Sequence, residues 1–143
     1  MSPKTKADSE SQDKKPAGRP ARKRRVEDVW TPRLAREGFT QISNYFLANY
    51  TTLGLSGSEP LLLIHLLRYK WGKDEKPFPK YATLASLMGL HHRRVRAIMS
   101  SLEERGFIKR IERRREHDRS DSNQFDLSPL FQKLEELLTR NKK

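Results

Sequence analysis

The stretch of residues 81–106, YATLASLMGLHHRRVRAIMSSLEERG, carries two helical apolar periods interrupted at Gly89. This spacing predicts two helices joined by a tight turn. In residues 81–100, Leu84, Met88, Leu90, Val95 and Ile98 supply the apolar positions that close the wedge between the helices. Ala85 is small where two steeply crossed helices must approach. The turn needs a residue free to take positive φ, and Gly89 provides it without steric cost.

The flanking segments extend this unit on both sides. In LSGSEPLLLIHLLRYKWG, residues 55–72, Ser58 is positioned to cap a helix, Glu59 and Pro60 fall in its first turn and Gly72 is placed to close it. Leu61, Leu62, Leu63, Ile64, Leu66 and Leu67 cover nearly every face, so that helix is expected to be largely buried. His65 within it reads as a packed or rim residue rather than a ligand. GKDEKPFPK, residues 72–80, is a loop by its Gly, its two prolines and its charges. Upstream, Val29, Trp30, Leu34, Phe39, Ile42, Phe46 and Leu47 predict a lead-in segment that ends in a short helix and packs the core.

Downstream, FIKRIERRR alternates apolar and basic residues, EHDRSDS is a polar turn and NQFDL is a second short strand, which together make a basic hairpin. The final stretch has Ser128 as a cap, Pro129 at the first helical position, and Leu130, Phe131, Leu134, Leu137 and Leu138 on one stripe. The expected fold is mainly α with a small β wing (α+β). Residues 26–128 form one domain including the lead-in segment, residues 1–25 a disordered basic arm, and residues 129–143 a C-terminal amphipathic helix.

The small Ala85, the turn Gly89 and the flanking apolar residues resemble the helix-turn-helix family. With a buried helix before the pair and RGFIKR plus a basic hairpin after it, residues 38–128 resemble a winged helix-turn-helix domain, as found in bacterial and phage regulators and in plasmid and phage replication initiators. The resemblance implies that the second helix, about residues 92–105, is a recognition helix whose N-terminal end meets base edges. His91, His92, Arg93, Arg94, Arg96 and Ser100 are then the base-reading candidates, the arginines because they can grip guanine through two hydrogen bonds. Lys109, Arg110, Arg113, Arg114, Arg115 and Arg119 on the wing, with Lys80 and Tyr81 at the start of the first motif helix, are the candidates for backbone contact. Where relatives carry a capping Ser and a Thr, this chain has His91 and Arg94. An Arg-rich helix face alone is most simply a solvated face; within the complete motif it points to DNA.

Charge distribution agrees with that reading. The chain of 143 residues has a formal net charge of +12. Residues 1–25 hold nine Lys/Arg against three Asp/Glu, and residues 91–119 hold ten against five, so the basicity is two patches. A polyanion is the first candidate partner. The arm itself reads as an electrostatic tail, with a minor-groove arm (AGRPARKRR, loosely similar to an AT-hook) and an import signal (ARKRRVED) as alternatives. The absence of Cys excludes disulfides and thiolate zinc sites. No apolar run is long enough for a membrane span, so a soluble, cytoplasmic, nucleoid-associated protein is expected.

Adjacent histidines point about 100° apart on a helix, so His91 and His92 are poorly placed to share a metal. With no phosphate-cradling glycine loop and no nucleophile elbow, no enzyme, metal or cofactor is expected. The leading expectation is a transcriptional regulator that binds double-stranded DNA sequence-specifically, as a homodimer through the C-terminal helix. The alternative is a replication or partition protein that binds origin repeats. It ranks second because such relatives usually carry a further domain and none is visible here. A non-specific nucleoid or RNA-binding protein is third.

Overall fold

Several helix ends among the described residues are set by short local signals. A computed structural model describes residues 25–70, 72, 76–77, 79–111 and 124–141. The chain divides into two units, residues 1–38 and 39–143. In the first, α1 spans Val26–Val29 and α2 spans Pro32–Arg36, with Thr31 Oγ1 accepting a hydrogen bond from the Leu34 N–H at 3.2 Å. Helices this short cannot present a stripe two turns long. Val29, Trp30 and Leu34 stay more than half exposed, as does Phe39 at the start of the second unit. Their expected place in the core is corrected accordingly; of the lead-in residues only Phe46 is buried, with Ile42 packed against the core.

In the second unit, α3 (Asn44–Asn49) begins at Ser43, whose Oγ accepts from the N–H groups of Tyr45 and Phe46. The next helix, α4, spans Glu59–Arg68. Ser58 precedes it with helical φ and ψ, so its hydroxyl makes no capping bond. The Glu59 carboxylate instead accepts from the Ser56 N–H at 3.0 Å, half of a capping box. Leu62, Leu63 and Leu66 are fully buried while Leu61 is 47% exposed. The helix ends at Arg68, short of the expected stop at Gly72.

Helices α5 (Tyr81–Met88) and α6 (His92–Glu104) form the central pair. Gly89 closes α5 at φ +67, in the left-handed region that favours glycine. The Leu90 N–H reaches the Ala85 carbonyl at 3.0 Å and the Gly89 N–H that of Ser86 at 3.4 Å, the paired bonds of a Schellman motif. The end of α6 repeats the device: Phe107 N–H to the Leu102 carbonyl at 2.9 Å and Gly106 N–H to Glu103 at 3.1 Å, with Gly106 at φ +80. Each motif turns the chain and buries the apolar residue that follows or lies beneath it. Here those are Ala85 beneath the first turn, and Leu102 and Phe107 at the second.

Strands β1 (Lys109–Ile111) and β2 (Gln124–Asp126) pair antiparallel with Arg110 opposite Phe125. The connection between them lies outside the described residues. Phe125 and Leu127 drop into the core, and α7 (Ser128–Asn141) follows. The Asp126 carboxylate accepts from the Ser128 N–H at 3.0 Å, so an aspartate supplies the bond expected of Ser128. Leu130 and Leu137 are buried and Leu134 lies against the core, so the apolar stripe of α7 packs back on its own domain. The result is mainly helical with a small two-stranded antiparallel sheet, as expected. The core runs from α3 through α4, α5 and α6 to β2 and α7.

Candidate nucleic-acid interface

Helix α6 has one buried face, Val95, Ile98, Met99 and Leu102. The opposite line, at helical spacings of four, three and four, is Arg93, Ala97, Ser100 and Glu104, all exposed. Two small residues therefore follow Arg93, which leaves the middle of the face free to approach a partner closely. Glu104 ends the line with a charge that repels phosphate. Positive charge on this line is thus confined to the N-terminal half.

The flanks of α6 are occupied differently. On one side lie Arg96 and Glu103. The Arg96 guanidinium carbon stands 5.0 Å from the Tyr81 ring centroid, and Glu103 Oε1 is 3.8 Å from Arg110 Nε on β1. On the other side lie Arg94 and Arg105. Arg105 bonds the Glu59 carboxylate and donates to the Gly54 carbonyl at 3.2 Å, and the positive charge of Arg94 acts on Glu59 as well. Of the three candidate arginines, then, Arg93 lies on the outermost line, Arg96 edges toward the wing, and Arg94 lies on the flank that also carries Arg105.

His91 caps α6: its Nδ1 accepts from the Arg93 N–H at 3.1 Å. The tautomer with its proton on Nε2 is the one that can make this bond. The His92 ring lies against that of His91, with centroids 4.5 Å apart. Both are exposed. Among the described residues no three His, Asp or Glu gather as a metal-holding cluster. His65, on α4, is half-buried, and burial together with the charge of Arg68 pushes its imidazole below its usual pKa.

Lys80 is exposed at the N-cap of α5, and Lys109 and Arg110 are exposed on β1. Tyr81 is half-buried, with its ring tilted against that of Phe125 at 6.2 Å. The sites Arg113, Arg114, Arg115 and Arg119 lie outside the described residues, as does the basic arm up to residue 24.

Three residues that sequence reasoning passed over organise this surface: Glu59, Glu103 and Arg105. The spacing of Ser56 and Glu59 was a legible capping signal, but the arrival of Arg105, 46 residues away, was not. Its guanidinium holds the Glu59 carboxyl below the usual carboxylate range, chiefly through the hydrogen bond. A carboxyl held below its ordinary 4.5 adds stability above that pH and loses it as the pH falls through the lower folded-state value. Glu59→Gln is therefore expected to lower the melting temperature at neutral pH, with the gap to wild type closing in acid. A gap that stays constant or widens in acid would show that the pair does not act through charge.

Comparison with known proteins decides the family. The model of the DnaD N-terminal domain matches residues 42–143, well over half of the chain. The chain belongs to the DnaD N-terminal domain family. Its fold is similar to the crystal structure of the N-terminal domain of DnaD protein from Geobacillus kaustophilus HTA426, at 23% identity and a TM-score of 0.58, covering 82% of this chain and 94% of that one. No curated protein matches it. The DnaD N-terminal domain is a non-catalytic domain of replication initiation, so the expectation of a transcriptional regulator is overturned and the replication alternative stands in its place. The physical reason is that a winged helix-turn-helix is a scaffold shared by both roles; nothing in the motif distinguishes them. No described helix of this DnaD-family chain is long and apolar enough to cross a membrane.

Proposed function

We propose that this DnaD-family chain acts in replication initiation by docking on double-stranded DNA, with α6 in the major groove and the β1–β2 wing on the flanking backbone. The observation that carries the reading is the open Arg93, Ala97, Ser100 line on α6, with Arg96 on its wing-side edge and Lys109 and Arg110 beside it. Arg93 and Arg96 are the base-reading residues, and His91, His92 and Ser100 are polar neighbours within reach of the same groove. Arg94, on the flank of α6 away from the wing, is better suited to phosphate. Lys80, Lys109 and Arg110 hold backbone, joined by Arg113, Arg114, Arg115 and Arg119, which fall between the two strands in sequence. The target is an origin repeat, and the site of action is the cytoplasm, at the nucleoid.

Charge and groove-facing arginines also suit a packaging protein, and salt titration separates the two. Each phosphate contact contributes about −0.9 to the slope of log K against log salt, whatever the sequence. Binding of an origin-repeat duplex is expected to exceed that of a random duplex by about 10³ or more at physiological salt. Equal affinities with equal slopes at every salt concentration would remove the sequence-specific reading and favour packaging.

The reading includes a homodimer. Because the leucine stripe of α7 is spent on its own core, a second copy would meet the outer face, where Phe131 lies exposed beside Gln132 and Glu135. Sedimentation of the wild type against Phe131→Glu tests this, and a monomer in both cases sinks it.

A further inference from the structure

Tyr81 stands between two parts of the proposed interface. It opens α5, and its ring meets one residue of β2 and one of α6. The ring tilts 57° against Phe125, which is 1% exposed on β2, and the Arg96 guanidinium lies over the ring at 5.0 Å. Phe125 is itself tied down, its N–H donating to the Pro77 carbonyl at 2.8 Å. A buried wing residue therefore holds the aromatic platform, and the platform holds an exposed arginine.

We propose that Tyr81 is a positioning residue that fixes the Arg96 side chain for base contact and couples its place to that of the wing. This deepens the DNA-docking reading and rests on it for its functional consequence. The chemistry suits the task. Stacking engages the face of the guanidinium and leaves its N–H donors, which lie in the plane of the group, free to bond in pairs to a base edge. A free arginine side chain samples many rotamers and must lose that freedom on binding; one already stacked has lost part of it. Glu103, one helical face-repeat further along the same flank, holds Arg110 of β1 in a parallel manner. The wing-side edge of α6 is therefore linked to the wing at two points, one aromatic and one ionic.

The test has two arms. The first needs no DNA: side-chain NMR of Arg96 in the wild type, Tyr81→Phe and Tyr81→Leu. Ring-current shifts and high order at the Arg96 Nε–H are expected in the wild type and in Tyr81→Phe, and their loss in Tyr81→Leu. An unshifted Arg96 in the wild type, or equal order in all three, overturns the proposal even if a variant folds poorly. The second arm measures duplex affinity. Tyr81→Leu is expected to weaken the preferred duplex by about two- to five-fold, with the salt slope unchanged and with no further loss in an Arg96→Ala background. The same loss with Arg96 already removed would show that Tyr81 acts on DNA by itself and overturns the positioning role. A wild type that binds no duplex removes the docking reading, and the NMR arm then decides the positioning of Arg96 by itself.

Discussion

Truncation of Leu102 to Ala lowers the free energy of unfolding by about 3 kcal/mol. The side chain has no exposed surface, lies beneath the C-terminal turn of α6, and its carbonyl receives the Phe107 N–H that closes the helix. Removing it leaves a cavity under the turn that carries the chain from α6 into the wing, where the backbone is held by the paired hydrogen bonds of Gly106 and Phe107 and cannot collapse freely. Since a domain of this size has a total stability of about 5–15 kcal/mol, the variant remains folded at 25 °C with a markedly lower urea midpoint and an unchanged m-value. Leu61→Ala is the internal control. Its side chain is 47% exposed on α4, so the same chemical change there is expected to cost well under half as much. Equal losses at the two positions would contradict the placement of the core.

Arg93→Ala is expected to produce the largest change in DNA binding. An arginine that bonds one base edge in two places contributes about 1–3 kcal/mol of discrimination, so specific affinity falls by about 5- to 150-fold and preference relaxes at one base pair. Its exposure on the outermost line of α6, next to the cap at His91, makes it the arginine with the most direct path into a groove. Lys109→Ala provides the contrast. As a backbone contact it should weaken all duplexes by a similar factor and make the salt slope shallower by about one. Competition binding on the preferred site and on single-base variants reads both effects. If Arg93→Ala lowers every duplex equally, the residue holds phosphate and the base-reading assignment moves to Arg96.

The parts of the fold legible in the sequence are those whose cause is local. Gly89 and Gly106 each sit where a helix must turn through positive φ, and the apolar residues around them are the ones the Schellman bonds bury. The helical spacing of Val95, Ile98 and Leu102 matches the buried face of α6, and the stretches FIKRI and NQFDL contain the two strands that pair. Short apolar segments were misread for a related reason. Val29, Trp30 and Leu34 have the composition of core residues, but on helices of four and five residues, with Pro32 opening the second, there is no continuous face to bury. In α4 the run Leu61–Ile64 has no polar position to mark the outside, so which leucine faces solvent was open until neighbouring helices were in place.

The candidate interface divides in the same way. Periodicity in the sequence was enough to bring Arg93, Arg96 and Ser100 to the side of α6 away from the core. It could not say that Arg105 reaches Glu59, that Arg96 rests on Tyr81, or that Arg110 reaches Glu103. Nor could it separate a regulator from a replication domain, because the visible motif serves both.

By itself, the amino-acid sequence determined the turn at Gly89, which face of the helix after it is apolar, and that a concentrated positive charge follows that turn. These depend on backbone sterics, capping and side-chain period, which act within a few residues. Only the tertiary structure decided which arginines are free and which are held. Ion pairs and aromatic stacks between α4, α5, α6 and β1 form when helix crossings bring side chains together across long stretches of chain, and a linear pattern carries no record of those angles.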